Sequence, residues 1–323
     1  MVRTDVKNWL SASVDAVRRD PKRGALNVAY DLYLSCWLFG TSRFPLGTNV
    51  FSQDWDLLVV LDACRTDVLR EVAHEYDFLE PIDTRWSLGS ASMEWMTKTF
   101  TKKYESDIER TAYVSANPYT TGVFSHRTVP PSNRRIPIAP TNYGSVDVDT
   151  FALLDEVFRY GVDDELGVTP PRTMTDRTIA ASREGDYDRI VAHYMQPHEP
   201  YIDDEVGLGP HVFERLSNGE LDRDEAWESY RGTLRVVLDE VELLLENVDA
   251  DRVAITADHG EAFGELGFYG HTTGFPHPAV RRVPWVETTA TDEGTYDPIV
   301  DPQTDADDGE FDVGQHLRDL GYL

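Results

Sequence analysis

The chain has 323 residues, 41 % of them apolar and 11 % aromatic, which is ample for a full hydrophobic core and suits one large α/β domain better than two small ones. Its formal charge of −28 is spread over the whole length and argues against a nucleic-acid partner, whose phosphates are met by clustered Lys and Arg. Lysine is confined to Lys7, Lys22, Lys98, Lys102 and Lys103, and such acid-rich, lysine-poor surfaces resemble those of proteins from salt-loving cells, where salt screens the repulsion between carboxylates.

Residues 1–50 read as a helical arm, two helices around Pro21, the first with Val6, Trp9, Leu10, Val14 and Val17 at helical spacing. Up to Ala25 the arm carries Arg3, Lys7, Arg18, Arg19, Lys22 and Arg23 against Asp5, Asp15 and Asp20, so it is locally basic on an acidic protein. Two fates suit it: packing on the main domain, the ordinary fate of an amphipathic helix, and peripheral docking of residues 1–25 on an anionic membrane surface. The start MVRTDVKNWL lacks the apolar region of a secretory signal. The longest apolar stretch, Ala25 to Gly40, is interrupted by Asp31 and falls short of the roughly 18 residues of a membrane span. Cys36 and Cys64 are the only cysteines, too few for a disulfide framework or a four-thiolate metal site. These features predict a cytoplasmic protein, peripheral at most to the inner membrane face.

Residues 51–323 read as the catalytic domain. DLLVVLD, beginning at Asp56, is a continuous apolar run of strand length that ends in an acidic residue, as a buried parallel strand would. Similar runs recur at 111–116, 188–195 and 251–258, with a weaker one at 283–288. Helical stretches separate them around Asp147 to Tyr160, Thr173 to Arg183 and Asp222 to Glu246. Alternation of this kind predicts a three-layer α/β/α sandwich with a mostly parallel central sheet, in which ligands bind at the carboxyl ends of the strands. Asn117 to Val146 reads as a loop carrying Arg127, Arg134 and Arg135, arginines that either meet an anionic substrate or are merely solvated. The acidic segment 291–312 reads as a solvated excursion before a last helix ending near Leu320.

Two strand ends carry the chemistry. The first delivers Asp62; that at 251–258 delivers Asp258, followed at once by His259, Gly260 and Glu261. Such residues suit a hard or borderline divalent cation, although either aspartate alone could be a helix cap. The runs VVLDACRTD, HYMQPHEPY and ITADHGEAFGELGFYGH, followed by RRVPWV, resemble the alkaline phosphatase and sulfatase superfamily in its sulfatase-like branch, in the family's order, from about Asp56 onwards. The resemblance implies one divalent metal ion (Mn, Zn, Ca or Mg) held by Asp62, Asp258, His259 and a hydroxyl nucleophile. WSLGSASMEW resembles the family's nucleophile segment, which makes Ser92 the candidate and Ser90 the second choice. His198 and His271 fit the role of imidazoles that meet the charge of the transition state, and Arg65 joins them as a substrate-binding candidate. His193 and His277 read instead as core or capping histidines.

The resemblance thus implies metal-assisted displacement at a phosphate or sulfate ester, by a hydrolase or by a transferase of phosphoglycerol or phosphoethanolamine type, on a small-molecule, glycan or lipid substrate. Ser92 is followed by Met93, Glu94 and Trp95, so the proline and arginine that direct conversion to formylglycine are missing. An unmodified serine favours phosphorus esters. Ala63 stands where many relatives carry a second aspartate, which favours one metal over two. Two echoes of other phosphatases are weaker. Cys64 and Arg70 have the spacing of cysteine phosphatases, but Asp67 would lie inside the anion loop. Asp62 to Thr66 echoes the haloacid-dehalogenase signature, but Cys64 replaces the acid and no lysine follows Lys103. A non-catalytic glycan- or lipid-binding protein on the same fold is the reading of another class.

Overall fold

The computed structural model describes residues 6–131, 136–137, 143–203 and 207–300. The arm comprises α1 (Val6–Arg19) and α2 (Pro21–Thr41). After it come β1 (Leu57–Leu61), α3 (Thr66–Val72), β2 (Ile82–Trp86), α4 (Ser92–Thr99), α5 (Glu105–Ile108), β3 (Thr111–Ser115) and β4 (Leu153–Glu156). The second half holds α6 (Pro171–Glu184), β5 (Arg189–Tyr194), α7 (Val212–Ser217), α8 (Arg223–Leu245), β6 (Ala250–Thr256), the short pair β7 (Ala262–Phe263) and β8 (Tyr269–Gly270), α9 (Pro278–Arg281) and β9 (Arg282–Ala290).

Seven strands form one sheet in the order β2-β9-β6-β1-β5-β3-β4. The pairs from β6 through β4 are parallel, and β9 runs antiparallel to both β6 and β2. β1 lies between β5 and β6, with Leu57 opposite Ile190 on one side and Val253 on the other. All five of its residues are buried, which is why the run is apolar without alternation. Successive strand residues point to opposite faces. On β5, the Tyr194 hydroxyl meets Thr175 of α6, while the neighbouring His193 packs edge-on against Trp95 of α4. Helices therefore cover both faces, and the three-layer α/β/α architecture is present.

The helix termini follow local rules. Asp222 caps α8 by accepting from Asp224 N and Glu225 N, and Asp20 caps α2 by accepting from Arg23 N, with Pro21 in the first turn. Two expectations differ. Asp147 to Tyr160 is not a helix: Leu153–Glu156 is an edge strand pairing parallel with β3, because the open edge of β3 outweighs a pattern that short 3-10 turns on either side mimic. β2 carried no apolar signal, since it is a half-exposed edge strand with Asp83, Thr84 and Arg85 in its middle. The last helix and residues 301–312 of the acidic segment lie outside the described residues.

The arm is joined to the domain through α2. Leu34 and Leu38 form a small cluster with Ile136. The Tyr30 and Tyr33 hydroxyls donate to the carbonyls of Thr273 (3.3 Å) and Gly274 (2.7 Å). Gly274 has a positive φ of +79°, and a Cβ there would stand 2.7 Å from Leu34 Cδ1, so this approach requires glycine. α1 packs along α2, where buried Trp9 donates through Nε1 to Asp31 (2.9 Å).

Candidate active site

Because β1 has β5 and β6 as neighbours, residues at the carboxyl ends of these strands share one place. Asp62 directly follows β1, Asp258 follows β6 by two positions, His193 is the penultimate residue of β5, and Asn117 follows β3 by two. Ser92 opens α4 beneath them. Its hydroxyl lies 3.2 Å from Asp62 Oδ2 and 3.2 Å from His259 Nε2. Asn117 Nδ2 donates to Asp62 Oδ2 (2.6 Å), and Tyr113 OH lies 2.8 Å from His193 Nδ1 and orients that ring. Ser92, Asp62, His193, Asp258, His259 and Asn117 are all fully buried.

The backbone aims the carboxylates. Ala63 takes a left-handed conformation (φ 58°), uncommon for a residue with a side chain. It is held there by Tyr230 OH, which donates to Ala63 O (2.6 Å), and by its own N–H, which donates to Asp258 Oδ1 (3.2 Å). His259 N also donates to that oxygen (2.8 Å). Asp258 Oδ2 is left without a hydrogen-bond partner, 3.4 Å from His259 Nε2 and 3.9 Å from His193 Nε2, which is itself without one. Gly260 lets the turn pass under α9, since a Cβ there would stand 2.3 Å from the Ala279 carbonyl. His259 Nδ1 pairs with Gly260 O (2.9 Å), which leaves Nε2 to face Ser92.

Donor atoms of Asp62, His193 and Asp258 lie within 4.8 Å of one another. Two carboxylates and an imidazole, with Asp258 Oδ2 and His193 Nε2 buried and unsatisfied, fit a divalent cation in both charge and donor type. Burial by itself would raise the Asp62 carboxyl; the nearby His193, His259 and His198 imidazoles outweigh it and hold Asp62 well below the ordinary carboxylate range. Burial likewise opposes charge on His259, but Asp258, Asp62 and Glu261 prevail and its pKa is raised.

A second group, His198, Glu261 and His271, also gathers its donor atoms within 4.8 Å. His271 Nδ1 lies 3.0 Å from Glu261 Oε1, and the His271 ring is 4.3 Å from that of His259 and 5.1 Å from that of His198. Burial pushes Glu261 up to about 7, with Asp62 and Asp258 adding to the shift against the His198 and His259 imidazoles. Burial and the neighbouring His259 push His271 down to about 3, so it is a neutral ring at neutral pH. The His271 side chain, 11 % exposed, is the outermost of this trio.

The structure brings Asp62, Ser92, Asp258, His259, His198 and His271 together. Other residues have other employment. Ser90 is turned away: its hydroxyl donates to Thr272 O and to Glu94 Oε2 (2.9 Å each) and accepts from Phe275 N. Arg65 departs from the substrate-binding expectation, because four of its five N–H donors are committed, to Asp67 (2.8 and 2.6 Å), Glu265 (2.6 Å) and the Glu261 carbonyl (2.8 Å). It fixes the backbone that carries Glu261. Arg127 donates to Val146 O (2.5 Å) and pairs with Asp147 (3.0 Å); Arg134 and Arg135 lie outside the described residues. Cys64 is buried, with burial first and then Asp67 and Asp258 pushing its thiol up, the reverse of a nucleophilic cysteine. His277 accepts from Ala279 N at the start of α9, a capping role. His193, by contrast, belongs to the site rather than to the core at large, and Asn117 was missed altogether. Position at a strand's carboxyl end was the signal that could have found both.

No family model and no curated protein matches the sequence. Among solved structures the chain is similar to the soluble domain of lipooligosaccharide phosphoethanolamine transferase A from Neisseria meningitidis, with 16 % identity over 73 % of this chain and 76 % of that one and a TM-score of 0.49. It is similar to the C-terminal periplasmic domain of EcEptC from Escherichia coli in complex with Zn (11 % identity, 76 % of each chain, TM-score 0.40). It is also similar to a protein in the alkaline phosphatase superfamily from Vibrio parahaemolyticus (10 % identity, 80 % of this chain and 68 % of that one, TM-score 0.40). These likenesses are of fold alone.

Proposed function

We propose that the chain is a divalent-metal-dependent enzyme of the alkaline phosphatase and sulfatase superfamily that attacks phosphate or sulfate esters through Ser92. One observation supports this above the rest: a serine hydroxyl stands 3.2 Å from both Asp62 and His259, among further buried metal-ligand side chains delivered by separate strands. Asp62, Asp258, His193 and His259 would hold the cation, with Ser92 beside them. When bound, the metal supplies a lowered hydroxyl pKa and polarisation of an ester oxygen.

The residues do the remainder. Ser92 Oγ donates to Asp62 Oδ2 and lies beside His259 Nε2, and it keeps a lone pair with which to attack. Asn117 and the Ala63 and His259 amides keep the carboxylates from turning. In the reaction a bond forms from Ser92 Oγ to phosphorus or sulfur while the ester bond on the far side breaks. His198, buried, and His271, the more exposed of the two, donate hydrogen bonds to the reacting group; Ser92 gives up its proton to solvent as the new bond forms, and the departing alkoxide takes its proton from solvent, since the neutral His271 ring has none to give. Water or an alcohol acceptor then resolves the covalent serine, giving a hydrolase or a head-group transferase respectively. Ser92 lacks the formylglycine signal, so phosphorus esters are the favoured substrates.

The test is a panel of chromogenic phosphate monoester, phosphate diester and sulfate ester, in high potassium chloride with Mn, Zn, Ca or Mg. Ser92→Ala and Asp258→Ala are expected to lose turnover by at least about 10³-fold with unchanged circular dichroism. Undiminished turnover in Ser92→Ala would overturn the assignment, and Ser90, already committed to Glu94 and Thr272, could not inherit the role.

A further inference from the structure

Among the described residues, most of the exposed large hydrophobic side chains lie on the arm. Of the 14 large hydrophobic side chains exposed among the described residues, ten lie between Val6 and Leu46. On α1, Val6, Leu10, Val14 and Val17 are 36–50 % exposed and fall within about 80° of arc at helical spacing. The face turned to α2 is a different one, marked by Trp9. Lys7 and Arg18 edge the exposed stripe, and no described element covers it. α2 repeats the pattern with exposed Ala25, Leu32, Cys36 and Phe39, beyond which Phe44 is 77 % exposed.

Charge selects the occupant. Between residues 6 and 46 stand six basic side chains and three acidic ones, whereas the whole chain carries −28. An anionic lipid surface repels the acidic bulk of this protein and attracts the basic arm, and aliphatic stripes edged with Lys and Arg are suited to lying in the plane of such an interface. No helix among the described residues is long and apolar enough to cross a membrane, so the contact is in-plane. A second copy of the chain would bring two basic arms together, which charge disfavours.

The arm is also wired to the site. Tyr30 and Tyr33 hold the carbonyls of Thr273 and Gly274, two and three residues after His271, and Trp37 reaches Glu94 in the helix that Ser92 opens (3.4 Å). We infer that the α1–α2 arm docks in the plane of an anionic lipid surface and so presents the Ser92 site to esters borne on that surface. The docking itself is independent of the catalytic reading; the substrate class rests on that reading.

The test is flotation of the full chain with phosphatidylglycerol vesicles and with phosphatidylcholine vesicles. Co-flotation with the anionic vesicles is expected, with a partition coefficient lower by about tenfold or more for Leu10→Glu/Val14→Glu and for Arg18→Glu/Arg19→Glu/Arg23→Glu. These side chains are exposed, and circular dichroism together with undiminished turnover of a soluble ester shows that the variants fold. Absence of flotation, or equal flotation of the variants, overturns the docking. So does flotation seen only after deletion of residues 301–323, which would make that segment the occupant, or a concentration-dependent dimer that the same substitutions abolish while vesicles go unbound. If flotation fails while Ser92-dependent turnover of soluble ester persists, the docking falls and the catalytic reading stands. If flotation holds but a vesicle-borne phosphoester is turned over no faster than a soluble one, the surface substrate is refuted.

Discussion

Of the two carboxylate oxygens of Asp258, one is held by the Ala63 and His259 amides and the other is left facing His193 and His259, so the backbone aims the oxygen that matters. His193 is the residue whose role changed most between sequence and structure. On an apolar strand it reads as an ordinary core histidine; its Nε2, buried and unsatisfied 3.6 Å from Asp62 Oδ2 and 3.9 Å from Asp258 Oδ2, says otherwise. His193→Ala is expected to lower metal affinity by roughly 10–100-fold or more, measured by metal analysis after dialysis against graded chelator. Retention equal to that of the parent would remove His193 from the ligand set. Arg65→Ala separates a supporting from a substrate-binding role. It is expected to cost about 2–4 kcal/mol in denaturant unfolding, because the charges of Asp67 and Glu265 and the Glu261 carbonyl lose their donor. A variant of parental stability with a raised KM would restore Arg65 to the substrate.

α4 begins with Ser92 and is held by its own third residue. Glu94, fully buried, accepts from Ser90 N (3.0 Å) and Ser90 Oγ, from Gly274 N (3.1 Å) and from Lys98 Nζ (2.5 Å), tying α4 to the loop after His271. Burial would raise its carboxyl, but the Lys98 and Arg281 charges and these hydrogen bonds prevail, and Glu94 is pulled down to about 2 from an ordinary 4.5. Lys98 is nevertheless lowered too, since burial costs it more than Glu94 returns. The net worth of the pair is therefore smaller than the carboxylate's shift alone implies. The folded carboxylate is depressed, so its stabilisation is present above the unfolded value and is lost as pH falls from about 4.5 towards 2. Relative to Glu94→Gln, the parent is expected to lose on the order of 1–3 kcal/mol more stability across that window, read from urea unfolding at each pH. Parallel pH profiles would show that Glu94 is not the group that titrates. The loop is as demanding as the helix: Gly260→Ala places a Cβ 2.3 Å from the Ala279 carbonyl and is expected to reduce both stability and metal content.

At the scale of the molecule, a formal charge of −28 over one α/β domain with a basic arm makes stability and docking respond to salt in different ways. Raising potassium chloride from about 0.15 M to about 2 M shortens the screening length from about 8 Å to about 2 Å. The self-repulsion of the acidic surface is thereby relieved, and Tm is expected to rise by roughly 5–10 °C in a thermal scan. A Tm that is flat or falls with salt would contradict a salt-adapted surface. Vesicle docking is expected to weaken over the same range without vanishing, because the aliphatic stripe of α1 is not screened.

Buried strands are legible in a sequence because their runs are mainly apolar, and β1, β3, β5 and the buried part of β6 were readable on that ground, as were the helices α6 and α8. The edge strands β2 and β4 were not, since a strand with one open edge takes its identity from a neighbour distant in sequence. The same division holds at the site. Asp62, Ser92, Asp258, His259, His198 and His271 stand in contiguous motifs and could be named from the chain alone. That His193 and Asn117 join them, that Ser90 and Arg65 face elsewhere, and that the apolar stripe of α1 is turned outward were decided only by tertiary structure. Sheet order and the alternation of side chains across strands determine which groups share a space, and neither is a property of any one segment.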